Sequence, residues 1–308
     1  MVKKNSRLLL IVFAVFTKQA LFSVPAKQAL NDFGFNECTM FGEDGIIQKI
    51  FEIIGTTSKL CLEVGADDGI VCANVARLWR NLGWRAILIE GDQEKFKKLE
   101  NNTRGYNCIL VKSYIEPEER LGPTIDSIVH NLNITEQLDL LSLDIDGNDY
   151  YVFESLKLHP RVMIVEFNPS IPYYRDVYQQ YTNHSWEIGC SVASLIRIGK
   201  QKGYDLVALT DVNAFFVDHM YIDKFATYET AVEKIFKTDY LKNIVLSYSG
   251  DSIVVGKINH LSDGFFKVGY QREMVCKNCY TLRINEIDLN DSDLNKNFPG
   301  FPKNKPSR

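Results

Sequence analysis

The chain has 308 residues, with 35 Lys and Arg residues against 39 Asp and Glu residues and a formal net charge of −4. This balance, without an extended basic stripe, gives no reason to expect nucleic acid as a partner. A hydrophobic content of 45% and a charged content of 24% are ordinary for a globular protein. Seven cysteines are too few for the disulfide framework of a small secreted domain in a chain of this length.

The first 26 residues allow two interpretations. Three basic residues within the first seven precede an apolar run over 8–16, which is too short to span a bilayer because spanning takes roughly 20 apolar residues. With the small residues around Val24-Pro25-Ala26, the pattern is typical of a secretory signal peptide. The other interpretation is a leader that contacts a membrane on a cytoplasmic enzyme. We predict this cytoplasmic, membrane-associated location, with a secreted or periplasmic protein as the alternative.

Helical and strand patterns alternate at short spacing after the leader. Apolar residues recur at helical spacing in the segments 41–54, 71–81, 93–102, 124–132, 149–158 and 192–202. Short apolar runs predict strands at 59–64, 85–90, 107–111, 139–145, 162–167, 205–210 and 214–217. Strands that alternate with helices in this way indicate βαβ units and a parallel sheet. The last two strands are joined by residues 211–213 alone, which predicts an antiparallel hairpin.

The expected fold is therefore α/β: a Rossmann-like, doubly wound, mostly parallel sheet closed by an antiparallel hairpin. Continuous apolar runs such as Ile87-Leu88-Ile89 fit strands that are covered by helices on both faces. A final stretch rich in Asp, Asn, Lys and Pro cannot build a core and is expected to be disordered. After the leader, the expected segments are the sheet domain at 38–220, an appendage at 221–288 with a helix at 228–236 and a strand at 253–255, and the tail at 289–308.

The segment Leu60–Gly69 places a glycine-punctuated turn after the first predicted strand, where a nucleotide-type cofactor loop begins. Its pattern is E-x-G-x-x-x-G, from Glu63 through Gly65 to Gly69, with Asp67 where the dinucleotide form has its second glycine. Carboxylates crowded into this turn repel a pyrophosphate and favour a ligand that carries positive charge. A sulfonium with an α-ammonium group is such a ligand, so the turn predicts an S-adenosylmethionine site. The alternative is that the glycines only form a tight turn.

Residues at the carboxyl ends of the other strands are candidates too, because ligands of open α/β sheets bind outside those ends. The second strand ends at Glu90, about 20 residues past Gly69, where an acid accepts the ribose hydroxyls. Asp92 follows it at the same edge. Ser113, after the third strand, lies where an adenine contact is expected.

The fourth strand delivers Asp144 and Asp146 to this edge as candidate catalytic residues. A carboxylate at the end of a core strand costs desolvation free energy unless something binds it. Three roles stay open for Asp144: contact with the cationic end of the cofactor, general base, or ligand of a divalent cation together with Asp146 and Glu166. We predict no metal, because no calcium-type Asp-rich loop accompanies these acids. For Asp146 a helix N-cap is an equal alternative, with Asp149 as the acid of a capping box.

The segment Ile171–Ser191 breaks the alternation of strands and helices and is rich in tyrosine. Loops of this length inside compact domains are usually functional or disordered. The segment carries His184, a candidate general base for a hydroxyl acceptor, with a surface or packing role as the alternative. Its tyrosines and Trp186 either stack on a sugar or pack within the protein.

Several stretches together resemble the FkbM-like family of class I S-adenosylmethionine-dependent methyltransferases. Their order and spacing carry the resemblance, and they are the segments 41–47, 62–69, 88–92, 141–150, 165–169 and 203–217. The resemblance implies O-methylation of a small-molecule or glycan hydroxyl, with S-adenosylmethionine as cofactor. It leaves the leader and the last third of the chain uncovered.

The same resemblance implies roles for individual residues. Glu63, Gly65 and Gly69 would cradle the methionine part of the cofactor. Glu90 would bind the ribose, and Asp144 would lie beside the transferred methyl group.

Two alternatives differ in class from a methyltransferase. The first is an NAD(P)-dependent oxidoreductase on the same architecture, and Asp67 in the pyrophosphate position argues against it. The second is an exported, non-catalytic binding protein that keeps the fold as a scaffold, and the signal-like leader favours it.

Overall fold

The computed structural model describes residues 26–181 and 188–241, and the backbone of two further strands at 243–246 and 252–255. The leader up to residue 25, His184 and the predicted tail lie outside the described residues, as does most of the predicted appendage. In the described part of the chain, no helix combines the length and apolar composition that crossing a membrane requires.

Alternating strands and helices make up most of the described chain. Its strands are β1 (Gln28–Ala29), β2 (Leu60–Val64), β3 (Arg85–Glu90), β4 (Cys108–Lys112), β5 (Leu140–Leu143), β6 (Val162–Glu166), β7 (Tyr204–Leu209), β8 (Asn213–Asp218), β9 (Tyr228–Glu229), β10 (Asn243–Leu246) and β11 (Ser252–Val255). Its α-helices are α1 (Glu43–Ile54), α2 (Ala76–Asn81), α3 (Gln93–Asn102), α4 (Ile125–Asn131), α5 (Asp149–Ser155), α6 (Val192–Gln201) and α7 (Val232–Ile235). Two 3₁₀ helices, Leu30–Phe33 and His219–Phe225, lie before α1 and after β8.

Seven of these strands form one sheet in the order β4-β3-β2-β5-β6-β8-β7. The pairs from β4 to β6 are parallel, and β8 pairs antiparallel with both β6 and β7. A mostly parallel sheet that ends in such a hairpin is the class I methyltransferase fold, so the predicted fold class is confirmed. The chain winds outwards in opposite directions from β2 and β5. Ligands of doubly wound sheets bind at such a switch point, outside the carboxyl ends of the strands.

Helices cover both faces of the sheet, because apolar side chains alternate between two separate cores. One core receives Leu62 and Met163 from the strands and packs against α4, α5 and α6. The other receives Cys61 and Leu88 and packs against α1, α2 and α3; we call this side of the sheet the α1 face. Successive side chains of a strand point to opposite faces, so a residue's position along its strand decides which helices it faces.

Helix α2 begins at Ala76, later than the predicted start at residue 71. The intervening residues form turns, because one carboxylate oxygen of Asp68 accepts the main-chain N–H groups of both Ile70 and Val71 at 2.9 Å. Asp side chains compete in this way with helical hydrogen bonds. Cys72 then adopts a left-handed φ of 58°, which takes the backbone off the helical path.

The predicted helix at 228–236 is wrong in its first half. Residues 228–229 form β9, which pairs in parallel with β1, and only the single turn α7 is helical. Pairing with a distant strand outweighs the local helical pattern. Phe225, just before β9, is buried in the core on the α1 face. The described part of the predicted appendage therefore packs against the sheet domain.

A buried ion pair joins elements at the amino ends of the strands. Nη1 of Arg161 lies 2.6 Å from Oδ1 of Asp139, and both side chains are buried. Asp139 also accepts the main-chain N–H groups of residues 57–59, and Arg161 donates to the carbonyls of Ile54 and Gly55. These bonds satisfy both charges and hold the end of α1 at this edge of the sheet.

Candidate functional site

The glycine turn lies at the switch point of the sheet, directly after β2. Gly65 has a φ of +79°, and a β-carbon placed on it would lie 1.7 Å from the main-chain oxygen of Asp144. The N–H groups of Gly65 and Ala66 both donate to the carbonyl of Ile89 at 3.0 Å. Gly69 has a φ of +78°, a conformation that favours glycine. The turn therefore requires its glycines, because a β-carbon on Gly65 or Gly69 would overlap the Asp144 backbone or the Leu99 side chain.

Glu63 lies on the α1 face of β2, and its side chain is 3% exposed. Its Oε1 accepts the main-chain N–H of Asn74 at 2.6 Å. Its Oε2 is buried and has no hydrogen-bond partner among the described residues. Burial raises the pKa of Glu63 to about 8 although the bond from Asn74 opposes it, and the charge of Asp144 adds to the increase. Buried polar atoms are normally hydrogen-bonded, so this oxygen is the strongest sign of a missing partner in the turn.

The other predicted acids of the turn are engaged within the protein. Oδ2 of Asp67 lies 2.7 Å from Nζ of Lys95, and Asp67 has a left-handed φ of 46°. Asp92 is the N-cap of α3, where its carboxylate accepts the N–H groups of Glu94 and Lys95. Of the carboxylates predicted to crowd this turn, Glu63 is the one that keeps an oxygen without a partner among the described residues. The cofactor contacts predicted for Asp67 and Asp92 stay predictions.

Glu90 ties the first two strand ends together. Its two carboxylate oxygens accept the main-chain N–H groups of Asp67 at 2.8 Å and Asp92 at 2.7 Å. Each oxygen keeps a second lone pair, so both can still accept hydroxyl groups from a ribose. Ser113 lies beside Glu90, since its N–H donates to the Glu90 carbonyl at 3.1 Å. The hydroxyl of Ser113 donates to the carbonyl of Tyr114 at 2.7 Å.

Tyr114 is a further candidate site residue, which sequence reasoning missed. Its ring is 70% exposed and lies on Gly91, where an added β-carbon would come within 2.3 Å of the ring. The aromatic face therefore lies beside Glu90 and Ser113, the residues predicted to contact ribose and adenine. The available signal was an aromatic residue next to Ser113, shortly after the third strand end.

Three carboxylates meet at the ends of β5 and β6. One oxygen from each of Asp144, Asp146 and Glu166 lies within 4.8 Å of the other two, and we call these residues the acidic cluster. The parallel register that pairs residue 143 with 165 brings the ends of the two strands side by side. Burial, and then the charges of Asp149 and Asp146, raise the pKa of Asp144 to about 7. Burial and the neighbouring Asp144 raise the pKa of Glu166 well above its usual range.

Asp149 shapes the loop that carries this cluster. Its two carboxylate oxygens accept the N–H groups of Ile145 and Gly147, each at 2.9 Å. Asp146 between them has a left-handed φ of 57°. The N-cap of α5 is Asn148, so the capping alternative for Asp146 is wrong. Asp149 therefore folds the loop back and holds Asp146 near Asp144.

Two acidic residues at the start of α1 lie on the α1 face of the sheet at its carboxyl edge. Glu43 accepts hydrogen bonds from the Thr210 hydroxyl at 2.8 Å and from the Asn213 amide at 3.2 Å, which links α1 to the β7–β8 turn. One oxygen of Asp44 accepts the N–H groups of residues 37, 38 and 39. The loop before α1 is thereby folded over the helix start. The sequence analysis did not predict these hydrogen bonds of Glu43 and Asp44, although both residues belong to a segment that resembles the family.

The tyrosine-rich segment crosses the other side of the carboxyl edge. The rings of Tyr150 and Tyr178 stack with centroids 3.8 Å apart, and Tyr178 forms a β-bridge with Cys190. The Tyr181 hydroxyl lies 2.5 Å from a carboxylate oxygen of Glu116, beyond β4. The segment therefore runs from β6 across to the loop after β4. His184 and Trp186 lie outside the described residues, so the predicted role of His184 as a general base stays a prediction.

A cavity of about 180 Å³ lies at the opposite, amino edge of the sheet. Its lining includes Phe153, His159, Lys202 and Tyr204, and none of the predicted site residues. The acidic side chains at the strand ends lie at the carboxyl edge instead. We therefore take the carboxyl edge, and not this cavity, as the candidate site.

No protein-family model matches the sequence, and no curated protein matches it. Among solved structures, the chain is similar to an S-adenosylmethionine-dependent methyltransferase from Clostridium acetobutylicum, with 14% identity, a TM-score of 0.37, and coverage of 57% of this chain and 90% of that one. A methyltransferase from Aquifex aeolicus has 14% identity, a TM-score of 0.34 and coverage of 57% and 88%. The precorrin-6y C5,15-methyltransferase of Geobacter metallireducens has 12% identity, a TM-score of 0.33 and coverage of 60% and 92%. Similarity at this level does not bear on substrate or residue roles.

Proposed function

We propose that the protein is an S-adenosylmethionine-dependent methyltransferase of the FkbM-like kind that methylates a hydroxyl group of a small molecule or glycan. The observation on which the proposal rests is that the Gly65 turn and the buried acid Glu63 lie next to each other at the switch point of the sheet. The backbone of Gly65 packs against the main-chain oxygen of Asp144, and this tight turn lies next to a buried Glu63 oxygen without a partner among the described residues. A buried acid with an unsatisfied oxygen suits a ligand with a positively charged, phosphate-free end.

In this proposal, different residues of the carboxyl edge bind different parts of the cofactor. Glu63 accepts the α-ammonium group with its free oxygen, and the turn from Gly65 to Gly69 holds the methionine part. Glu90 accepts the ribose hydroxyls with its remaining lone pairs. Ser113 contacts the adenine, whose face also packs on the exposed ring of Tyr114.

When bound, the cofactor would supply an electrophilic methyl group to the acceptor oxygen, with its thioether sulfur as the leaving group. The protein's main contribution is to hold the acceptor oxygen in line, and such alignment supplies roughly 7–11 kcal/mol of barrier reduction. Asp144 would lie beside the methyl group of the bound cofactor. A carboxylate of this edge or His184 takes the hydroxyl proton.

A nicotinamide-dependent oxidoreductase is the weaker candidate for this fold. A pyrophosphate needs close approach of the backbone at the position of Asp67, which carries a side chain here and a left-handed φ of 46°. Glu63 adds an acid that would be buried against phosphate oxygens. Both features disfavour a dinucleotide.

The discriminating experiment is calorimetric titration of the full-length protein with S-adenosylhomocysteine and, separately, with NAD⁺. The proposal expects saturable binding of S-adenosylhomocysteine and none of NAD⁺. Binding of NAD⁺ alone would support the oxidoreductase. Binding of neither would support a non-catalytic scaffold.

We also propose that the protein is cytoplasmic and associated with a membrane, because S-adenosylmethionine is made in the cytoplasm. Mass spectrometry of the N-terminus of the protein purified from its native cells tests this location. A chain that keeps residues 1–26 is expected. Cleavage after Ala26 would instead favour an exported binding protein.

A further inference from the structure

The acidic cluster brings three carboxylates together, and the nearest influence of a cation on Asp144 and Asp146 is the charge of Lys95, which lowers the pKa of both without outweighing burial. Asp144, Asp146 and Glu166 each place one carboxylate oxygen within 4.8 Å of the others. The nearby Lys95 ammonium forms its ion pair with Asp67, 2.7 Å away. In the described part of the chain, no ion pair joins a Lys or Arg side chain to any of the three acids.

A second, independent observation comes from Asn213 on the neighbouring strand. The antiparallel register pairs Asn213 directly with Glu166, so the two side chains leave the same face of the sheet next to each other. Asn213 is 4% exposed, and its Nδ2 donates to Glu43 at 3.2 Å. Its Oδ1 is buried and has no hydrogen-bond partner among the described residues. A buried amide oxygen of this kind normally has a donor or a cation beside it.

We propose that the acidic cluster binds one divalent cation that prefers oxygen ligands, with Asp144, Asp146 and Glu166 as protein ligands and Asn213 as a further oxygen at the same place. Carboxylate and amide oxygens at about 2.0–2.6 Å from an ion are the ligand set of Mg²⁺, Mn²⁺ and Ca²⁺. Oxygens on opposite sides of such an ion are about 4–5 Å apart, which agrees with the spacing of the cluster.

A divalent ion fits better than a singly charged ammonium group. The three carboxylates repel one another when they are ionised, and a divalent ion offsets two of those charges where an ammonium group offsets only one. This proposal departs from the sequence-based prediction of no metal, because Asn213 on β8 is found beside Glu166 only in the folded sheet.

The cation site also bears on the acceptor, in a step that rests on the proposed function. These ions take six or more ligands, so the protein leaves coordination positions for water or for an oxygen of the acceptor. A hydroxyl bound there loses its proton more readily. Binding of the ion itself does not depend on the methyl donor.

The test is titration of the metal-free, full-length protein with Mn²⁺, followed by the electron paramagnetic resonance signal of the free ion. One saturable site is expected, with competition by Mg²⁺ or Ca²⁺ identifying the preferred ion. Asp146→Asn and Glu166→Gln should each weaken Mn²⁺ binding by more than about tenfold, since even indirect partners of metal ligands contribute 10–100-fold. Asp146 is exposed, so its variant is not expected to disturb folding.

Glu94→Gln is the matched control, because it removes one negative charge from an exposed residue that forms an ion pair with Lys97 on α3. It should leave Mn²⁺ binding unchanged. Mn²⁺ binding that is absent at millimolar concentration, or that survives Glu166→Gln, would overturn the cation site, as would binding of methylammonium in place of Mn²⁺. S-adenosylhomocysteine titrated in the presence of EDTA keeps the two proposals apart. If S-adenosylhomocysteine binds and Mn²⁺ does not, only the cation site is overturned. If Mn²⁺ binds and S-adenosylhomocysteine does not, only the proposed function is overturned.

Discussion

The backbone of Gly65 lies against the main-chain carbonyl of Asp144, so close that a β-carbon on Gly65 would be 1.7 Å from that oxygen. This contact joins the ends of β2 and β5, the two strands from which the chain winds outwards. It brings the glycine turn and the acidic cluster to the same point of the carboxyl edge. The proposed methyl-donor site depends on it.

Gly65→Ala should therefore destabilise the turn and abolish binding of S-adenosylhomocysteine. The overpacked β-carbon costs about 1–3 kcal/mol beyond the strain of a left-handed φ. Gly83→Ala is the matched control, since Gly83 has a φ of +69° but no atom within 4 Å of the added carbon. Calorimetry and thermal unfolding of both variants measure the difference. Equal behaviour of the two would show that the contact with Asp144 is unimportant.

Tyr114→Ala should weaken S-adenosylhomocysteine binding between about twofold and tenfold, because it removes an aromatic face worth about 0.5–1.5 kcal/mol. Tyr114→Phe keeps the ring and should bind as the unmodified protein does. Calorimetric affinities of the two variants decide the matter. If the alanine variant bound normally, the adenine would not lie on this ring.

Glu63 should make the protein less stable as the pH rises. The side chain titrates near pH 4.5 when unfolded and at about 8 when folded, so between these values only the native state keeps the proton. Its stabilising contribution is complete below pH 4.5 and is lost by pH 8. Urea unfolding from pH 5 to 8 should show a free energy that falls more steeply than in Glu63→Gln, by up to about 1.4 kcal/mol per pH unit. Parallel pH profiles would mean that Glu63 is not held protonated.

Asp139→Asn should lower the free energy of unfolding by about 3–5 kcal/mol, because it leaves the buried guanidinium of Arg161 without its charge partner. The control is Asp176→Asn, which breaks an exposed pair with Arg197 and should cost at most about 1 kcal/mol. Urea unfolding measures both values. A small loss in Asp139→Asn would mean that the buried pair contributes little to the fold.

Asp144→Ala should abolish methyl transfer, measured as release of labelled S-adenosylhomocysteine from S-adenosylmethionine with an acceptor found by screening hydroxylated small molecules and glycans. Glu94→Gln, on the surface of α3, should leave the rate unchanged. Near-normal turnover of the alanine variant would refute the position assigned to Asp144 beside the methyl group.

The sheet was largely predictable from the sequence, because its central strands are continuous apolar runs that must be buried on both faces. The strand at 85–90 and the helix at 93–102 have the predicted bounds. Residues 71–75 were predicted as helix, and the pairing of β9 with β1 was missed. In the first case Asp68 captures two main-chain N–H groups, and in the second a distant strand fixes the backbone.

The candidate site was predictable in location and less so in detail. Strand ends follow from chain order, which identified Glu63, Glu90 and Asp144. The partners of their carboxylates depend on tertiary contacts: Asp67 meets Lys95 only because α3 packs beside the turn. Asn213 could not be placed beside Glu166 without the antiparallel register of β8.

The most direct measurement of the central claim compares S-adenosylhomocysteine with 5′-methylthioadenosine, which lacks the amino-acid end, in calorimetric titrations of the unmodified protein and of Glu63→Gln. If the free oxygen of Glu63 binds the α-ammonium group, the unmodified protein prefers S-adenosylhomocysteine and the variant loses that preference while still binding methylthioadenosine. An unchanged preference in Glu63→Gln, or no binding of either nucleoside to the unmodified protein, would contradict the proposed site.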